Sequence, residues 1–481
     1  MLLSILQPQS QKLFFIQAFL LGIFLSLGFD PYNIPFLSLL AIGLLFKLNN
    51  QFYLKYKKSY IGFFLIGIAF GFGFFISSIY WISNALIVYG GDIKYLLPFS
   101  IILLPLILSM FYGFMQIFNC FFWDNSNAKI FYFTVFWVIF EILRSYMFTG
   151  LPWNLICYSW TWSPHFIQSL SLVGPYGLGI ISVFCSCTLF SFKLKPVNIF
   201  IITSGILILV STFLYGLNRI KNYKEMYIEN FDVRIVGTYI NQKDKWSEST
   251  KDIVRIMLSE NDLTIIPETM AGLKPFKKQN LIQGFLRKEE DKYYNSMAYD
   301  GYVYDKKHLV PFGEYFPFSN IINKTFLSNY FNLDSLSKGK NKYFPPSIIP
   351  LICYEGIFTD IVGNNRKLGA KLLVNITNDA WFGKNTGPLQ HFTHVKYRAI
   401  EEGLPLARSS NMGFSGLINP LGKIIYQVEK ERNSYIDVKI PIEVRTFYSK
   451  YRFKIVYFLL VFLSMIGYFT QILHKKISQY E

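Results

Sequence analysis

Residues 59–91 read SYIGFFLIGIAFGFGFFISSIYWISNALIVYGG, with no charged side chain between Lys58 and Asp92. A helix that crosses the hydrocarbon layer needs about 20 apolar residues, with about 17 as a lower limit. This stretch satisfies that requirement with a loop to spare. Other charge-free runs lie between Lys12 and Asp30, Asp30 and Lys47, Lys94 and Asp124, Lys129 and Glu141, Arg144 and Lys193, Lys195 and Arg219, and Lys454 and Lys475. Together they predict eight spans, with cores at 12–29, 32–48, 60–82, 95–118, 128–145, 166–190, 198–217 and 453–472. The second and fifth are the shortest or are interrupted by charge.

Composition agrees. Of 481 residues, 16% are charged, where a soluble domain carries about 25%. Charges are scarce up to residue 218 and common from Arg219 to Lys454. The predicted domains are therefore a transmembrane bundle at 1–218, a water-exposed domain at 219–450, and a last span with its tail at 451–481. The formal net charge is +17, and residues 221–450 hold 32 Lys and Arg against 25 Asp and Glu. Most of the excess thus flanks the apolar runs, where it sets topology and meets anionic headgroups. No basic helix or basic-aromatic platform suggests a nucleic-acid partner.

Orientation follows from Lys and Arg in the short loops. With the N-terminus inside, the inner loops hold Lys47, Lys55, Lys57, Lys58, Lys129, Lys193 and Lys195, while the outer ones hold Lys94 and Arg144. This places the polar domain on the outer face. Glu141 and Arg144 stand three residues apart on the fifth span and read either as a headgroup contact or as an ion pair that orients the helix. Thr149 to Asn154 (TGLPWN) reads as a turn with Trp153 at the interface.

Within the polar domain, Val233–Tyr239, Leu263–Ile266, Ser296–Tyr299, Ile348–Ile352, Leu372–Ile376 and Gly416–Ile418 read as short strands. Glu248–Ser259 and Gln390–Gly403 read as helices. That pattern indicates an α/β domain. Three strand ends carry reactive groups: Glu268 after Ile265-Ile266-Pro267, Lys306 after Tyr304-Asp305, and Cys353 after Leu351-Ile352. Each alone is ordinary: a surface carboxylate, a charged turn, a small core residue. As a set they are the parts for covalent acyl transfer. A thiol with an ordinary pKa of about 8.5 needs a base at neutral pH. A carboxylate can take its proton, and a fixed ammonium can stabilise the oxyanion that forms. Cys353 is also the lone cysteine of this domain, so it has no disulfide partner there. No metal-ligand spacing or phosphate loop is evident, so no metal or cofactor is expected.

The motifs KKHLVPFGEYFPF (Lys306–Phe318), ICYEGIF (Ile352–Phe358), NITNDAWFG (Asn375–Gly383) and RAIEEGLPLARSSNMGFSG (Arg398–Gly416) resemble, in order, the nitrilase superfamily. With GFDPYNIPFL (Gly28–Leu37) and EILRSYMFTGLPWN (Glu141–Asn154), the likeness extends to the apolipoprotein N-acyltransferase family and covers nearly the whole chain. The resemblance implies a nitrilase-like α-β-β-α sandwich on a multi-pass α-helical membrane bundle. It puts the general base on Glu268, the oxyanion-stabilising lysine on Lys306 and the nucleophile on Cys353. Glu314 would position the lysine, Tyr354 and Glu355 would flank the nucleophile, and the Tyr354 N–H would donate to the oxyanion. Asn295 and Trp246 would contact substrate near the site. The implied donor is a phospholipid, typically phosphatidylethanolamine giving its sn-1 chain. The implied acceptor is the α-amine of the diacylglyceryl cysteine of an apolipoprotein, at the outer face of a bacterial inner membrane. The alternative is a membrane-tethered amidase with the same triad, in which water resolves the thioester. The aromatic stretch Tyr315–Leu333 is expected to be a lid dipping into the outer leaflet.

Overall fold

The computed structural model describes residues 10–480 except 192–195, 261, 316–334, 341–343, 366–368 and 385. By packing, the chain divides into two units. One comprises Met1–Ser83, Leu96–Asn222 and Lys450–Glu481, and the other Asn84–Tyr95 with Tyr223–Ser449. The expected lid at Tyr315–Leu333 lies, after Tyr315, outside the described residues.

The first unit is helical. Its long helices are Gln11–Ser26, Leu37–Tyr56, Tyr60–Ser78, Leu104–Phe122, Ala128–Tyr146, Leu170–Phe190, Pro196–Asn222 and Phe453–Tyr480. Among the described residues, six helical stretches are long and apolar enough to cross a membrane. The other two fall short for separate reasons. Gln11–Ser26 has 16 residues, and Ala128–Tyr146 carries Lys129, Glu141 and Arg144. Lipid offers little hydrophobic drive for helices to associate, so close backbone approach matters. Gly67 shows it: a Cβ there would stand 2.3 Å from the Tyr112 carbonyl oxygen. Tyr112 and Trp137 pack edge-on around Phe70 at that crossing.

Glu141 and Arg144 are both buried, and both hold the chain that follows them. Arg144 Nη1 donates to the carbonyls of Leu151 and Trp153, each at 2.7 Å. Glu141 Oε1 accepts from the Ile156 N–H at 2.9 Å and from Trp137 Nε1 at 3.3 Å. Instead of bonding each other, both charges hold the backbone of the turn after the helix, and Glu141 accepts in addition from the Trp137 side chain. Burial without water requires those partners. Trp153 of that turn is buried against Trp81, with ring centroids 4.9 Å apart.

The second unit holds two sheets. The first has strand order β11-β1-β2-β3-β4-β5 and the second β10-β9-β8-β7-β6. In chain order the strands are β1 Tyr227–Gly237, β2 Leu263–Ile265, β3 Leu281–Glu289, β4 Lys292–Tyr299, β5 Tyr302–Asp305, β6 Ile348–Ile352, β7 Leu372–Asn378, β8 Leu406–Asn411, β9 Gly416–Ile418, β10 Ile424–Gln427 and β11 Ser434–Pro441. β1, β2 and β3 run parallel, as do β6, β7 and β8. The remaining neighbours are antiparallel.

Strand alternation builds the layers. Val233, Ile235, Ile265 and Ile282 of the first sheet share one core with Ile348, Ile352, Val374 and Ile376 of the second. Their neighbours Val236, Ile266 and Leu281 point the other way and pack with Val254 and Met257, in and beside the helix Glu248–Ile256. The helix Thr386–Glu402 lies against the elbow Cys353–Ile357 beyond β6. Helix, sheet, sheet, helix is the α-β-β-α sandwich. Each fully buried Ile, Leu or Val in that double layer contributes about 1.5–3 kcal/mol relative to exposure. All five cysteines are free.

Candidate active site

The candidate groups lie at or just beyond the C-terminal ends of strands, where open α/β sheets present their ligand-binding crevices. Glu268 follows β2, Lys306 follows β5, Cys353 follows β6, and Asn378 ends β7. The Glu268 turn lies flat on β3 because Gly284 has no side chain. A Cβ there would stand 2.4 Å from the Thr269 nitrogen and 2.8 Å from Glu268 Cα.

Glu268 is 5% exposed, and each of its oxygens has a donor. Asn295 Nδ2 reaches Oε1 at 2.7 Å, and the Asn378 N–H reaches Oε2 at 2.9 Å. Lys306, 1% exposed, stands with Nζ 3.6 Å from Glu268 Oε1 and 2.8 Å from Glu314 Oε1. Burial alone would lower the lysine's pKa, but the Glu314 and Glu268 carboxylates more than reverse this and hold it well above the usual lysine range. Asn295 Nδ2 also reaches Glu314 Oε1, at 2.9 Å, so one amide ties the two carboxylates together. Glu314 Oε2 is fixed by the Val310 N–H at 2.8 Å.

Cys353 begins the elbow at φ 49°. A left-handed backbone is uncommon for a side-chain-bearing residue, and such strain gathers at functional sites. Three features hold it. The Ile352 N–H donates to Glu355 Oε2 at 2.9 Å. His391 Nε2 lies 3.2 Å from the Cys353 carbonyl oxygen, which can only accept, so the ring donates. Gly356 lets the elbow sit on the helix Thr386–Glu402, where a Cβ would meet Val395 at 2.6 Å.

The sulfur shares an electrostatic environment with Glu268 and Lys306. Burial and the Glu268 charge push its pKa up to about 12, against the pull of Lys306 and a hydrogen bond with Thr377. The resting group is therefore a thiol. Glu268, Lys306, Glu314 and Asn295 thus meet in one buried group, with Cys353 beside it.

Glu355 has a separate task. Its Oε1 accepts from Tyr304 Oη at 2.9 Å and from the N–H groups of Lys307 and His308 at 2.7 and 3.3 Å. With the bond from Ile352, one carboxylate clasps the chain next to Lys306 and the chain next to Cys353. Tyr354 is buried, its ring edge-on to Phe358 at 5.1 Å. Trp246 is half exposed and donates from Nε1 to the Thr269 carbonyl at 2.9 Å, one residue past Glu268.

Five groups lay outside the sequence reading. Asn378 acts through its backbone N–H. Lys245 is buried and donates to Thr269 Oγ1 at 2.6 Å. His391 meets Asp379 Oδ1 at 2.8 Å, and Asp379 Oδ2 accepts from Arg408 Nη2 at 2.7 Å. Burial would raise the Asp379 pKa, but Arg408 and His391 hold it well below the carboxylate range. The motifs holding Asn378, Asp379 and Arg408 were visible. Nothing marked Lys245 among the charges of Asn241-Gln242-Lys243-Asp244-Lys245. Among the described residues no cluster of His, Cys, Asp and Glu is arranged to hold a metal ion.

Comparison with known proteins covers both units. Residues 21–188 match the family model for the apolipoprotein N-acyltransferase N-terminal domain, and residues 276–449 match that for carbon-nitrogen hydrolases. The chain is 35% identical over 452 residues to the apolipoprotein N-acyltransferase of Rickettsia bellii, covering 86% of this chain and 89% of that one. It is 34% identical to the enzyme of the same name from Rickettsia prowazekii, covering 85% and 90% of the two chains. Against that of Brucella melitensis the identity is 30%, covering 78% and 79%. Identity at this level along nearly the full length of both chains, with apolar helices preceding a nitrilase-type sandwich, shows that the chain belongs to the apolipoprotein N-acyltransferase family.

Proposed function

We propose that this protein moves an acyl chain from a phospholipid to the α-amine of a diacylglyceryl cysteine at the N-terminus of an apolipoprotein, through a thioester on Cys353. The observation that carries the reading is the buried group after β2, β5 and β6, in which a thiol shares its surroundings with a carboxylate and an ammonium.

The steps follow from those groups. Glu268 takes the thiol proton as the sulfur attacks the ester carbonyl carbon. The oxyanion is stabilised by Lys306, fixed on Glu314, and by the Tyr354 N–H. Collapse expels the lysophospholipid alkoxide, which takes the proton from Glu268 and leaves a thioester. The acceptor amine then attacks the thioester and gives its proton to Glu268. The second collapse forms the amide and returns the sulfur to a thiol with that proton. Fixed charges that need no rearrangement during the reaction are the most effective source of such stabilisation. Both substrates are lipid-borne, which gives the apolar helices their purpose. The excess of Lys and Arg in one set of short loops supports an outer, periplasmic position for the catalytic unit on the inner membrane.

The test is mass spectrometry of the Cys353 peptide after incubation of the membrane protein with phosphatidylethanolamine. An acyl group on Cys353 that persists with phospholipid alone and clears on addition of a diacylglyceryl lipopeptide is expected. An unmodified Cys353, or a thioester that water clears as fast as the lipopeptide does, would overturn the reading, the latter in favour of an amidase.

A further inference from the structure

A second lysine reaches the same buried group. Lys245 is 2% exposed. Its Nζ donates to Thr269 Oγ1 at 2.6 Å, on the residue after the base. Nζ also lies 3.2 Å from one end of the Asn378 amide, an end that faces Trp381 Nε1 at 3.1 Å and Gln242 Oε1 at 2.7 Å as well. Both partners are uncharged. Among the described residues no carboxylate forms an ion pair with Lys245. A dry ammonium without a counter-ion is costly. Burial, with a push from Lys306, outweighs the pull of Glu268 and the Cys353 sulfur, and its pKa is lowered to about 8.

The charges around the sulfur explain why a protein would keep it. Glu268 and Glu355 supply two buried carboxyl groups and Glu314 a partly buried one, and Lys306 supplies one ammonium that leans toward Glu314 rather than Glu268. Asp379 also faces Cys353 but is engaged by Arg408 and His391. When Glu268 takes the thiol proton, the negative charge passes to the sulfur. An ammonium that no carboxylate has claimed is then free to act on it.

We propose that Lys245 is a positioning residue for the nucleophile: its ammonium, anchored on Thr269 beside the base, stabilises the Cys353 thiolate as Glu268 takes the proton. The use made of that thiolate rests on the acyl-transfer reading, but its formation does not.

The test is the rate at which iodoacetamide alkylates Cys353 in the full-length protein in detergent, read on the Cys353 peptide by mass spectrometry from pH 6 to 10. One unit of thiol pKa is about tenfold in thiolate. At pH 6.5, Lys245→Met should therefore label about tenfold or more slowly than wild type, and Lys245→Arg within about threefold of it. The gap should close toward pH 10, because wild-type Lys245 has lost its proton there. A purely structural role predicts a gap that does not change with pH, and that result, or no gap at all, overturns the proposal. If Lys245→Met does not fold, Lys245→Gln makes the same comparison. Thioester occupancy of wild type with phospholipid is measured alongside. Its absence would sink the acyl-transfer reading and leave the alkylation result standing.

Discussion

His391 Nε2 donates to the backbone carbonyl of Cys353 across 3.2 Å. The carbonyl belongs to the peptide whose N–H is that of Tyr354. A hydrogen bond accepted at one end of a peptide polarises the donor at the other. The contact therefore fixes the left-handed Cys353 and strengthens the proposed oxyanion donor at once.

His391→Leu should slow formation of the Cys353 thioester about 10- to 100-fold, the equivalent of about 1.4–2.7 kcal/mol in the barrier. His391→Gln, which keeps a donor, should recover part of it. Single-turnover acylation measures the effect. Unchanged acylation with weaker phospholipid binding would assign His391 to the substrate instead.

Lys306 Nζ is 2.8 Å from Glu314 and 3.6 Å from Glu268. Glu314→Gln removes the nearer charge, and the ammonium should then swing to the base and compete with the thiol proton for it. Acylation should fall by about 100-fold, within the range that general base catalysis supplies. Phospholipid KM should stay within a few-fold of wild type. A loss confined to KM would show that Glu314 serves binding.

Burial and the Glu268 charge push the Cys353 thiol up to about 12. Its alkylation rate should therefore keep rising through pH 10, where a free peptide thiol has levelled off above about 8.5. The sign is fixed by the direction of the shift: the neutral form is favoured, so the thiolate fraction grows at high pH. A plateau near pH 8.5 would contradict the environment described for the sulfur.

Asp379 and Arg408 are both fully buried. Asp379→Asn leaves the guanidinium without its anion and should cost about 3–5 kcal/mol, read by denaturant unfolding of the purified protein. The folded pKa of Asp379 lies below its unfolded value. Its stabilisation is thus present above the ordinary aspartate range and is lost as pH falls through the folded value. The wild type should lose this margin only in strong acid, and the variant should lack it at neutral pH. Equal stability at neutral pH would refute the assignment.

The candidate site was legible where a reactive residue ended an apolar strand. Glu268, Lys306 and Cys353 each follow such a strand, and the charge-free runs located the helices. Other parts were hidden for physical reasons. β8 reads Leu-Ala-Arg-Ser-Ser-Asn and is buried throughout, because Arg408, Ser409, Ser410 and Asn411 find hydrogen-bond partners that hydropathy does not see. β3 carries Gly284 at its centre, which weakens a strand signal but serves the Glu268 turn. The short β5 and β10 offered little alternation, whereas β11 alternates from Ile436 to Ile440 and was open to being read. Glu141 and Arg144 were seen, but which backbone groups they would hold depends on a turn whose path only the fold defines. Lys245 looked like one more surface charge until the sandwich closed over it.

Glu355 grips the residues beside Lys306 with one oxygen and the residue before Cys353 with the other. The separation between cation and sulfur is therefore set by a single side chain rather than by the length of polypeptide joining β5 to β6. That connection is relieved of any metrical duty. The number of residues between the two clasped ends can therefore change without altering that separation, so long as Glu314, which lies between them, keeps its hold on Lys306.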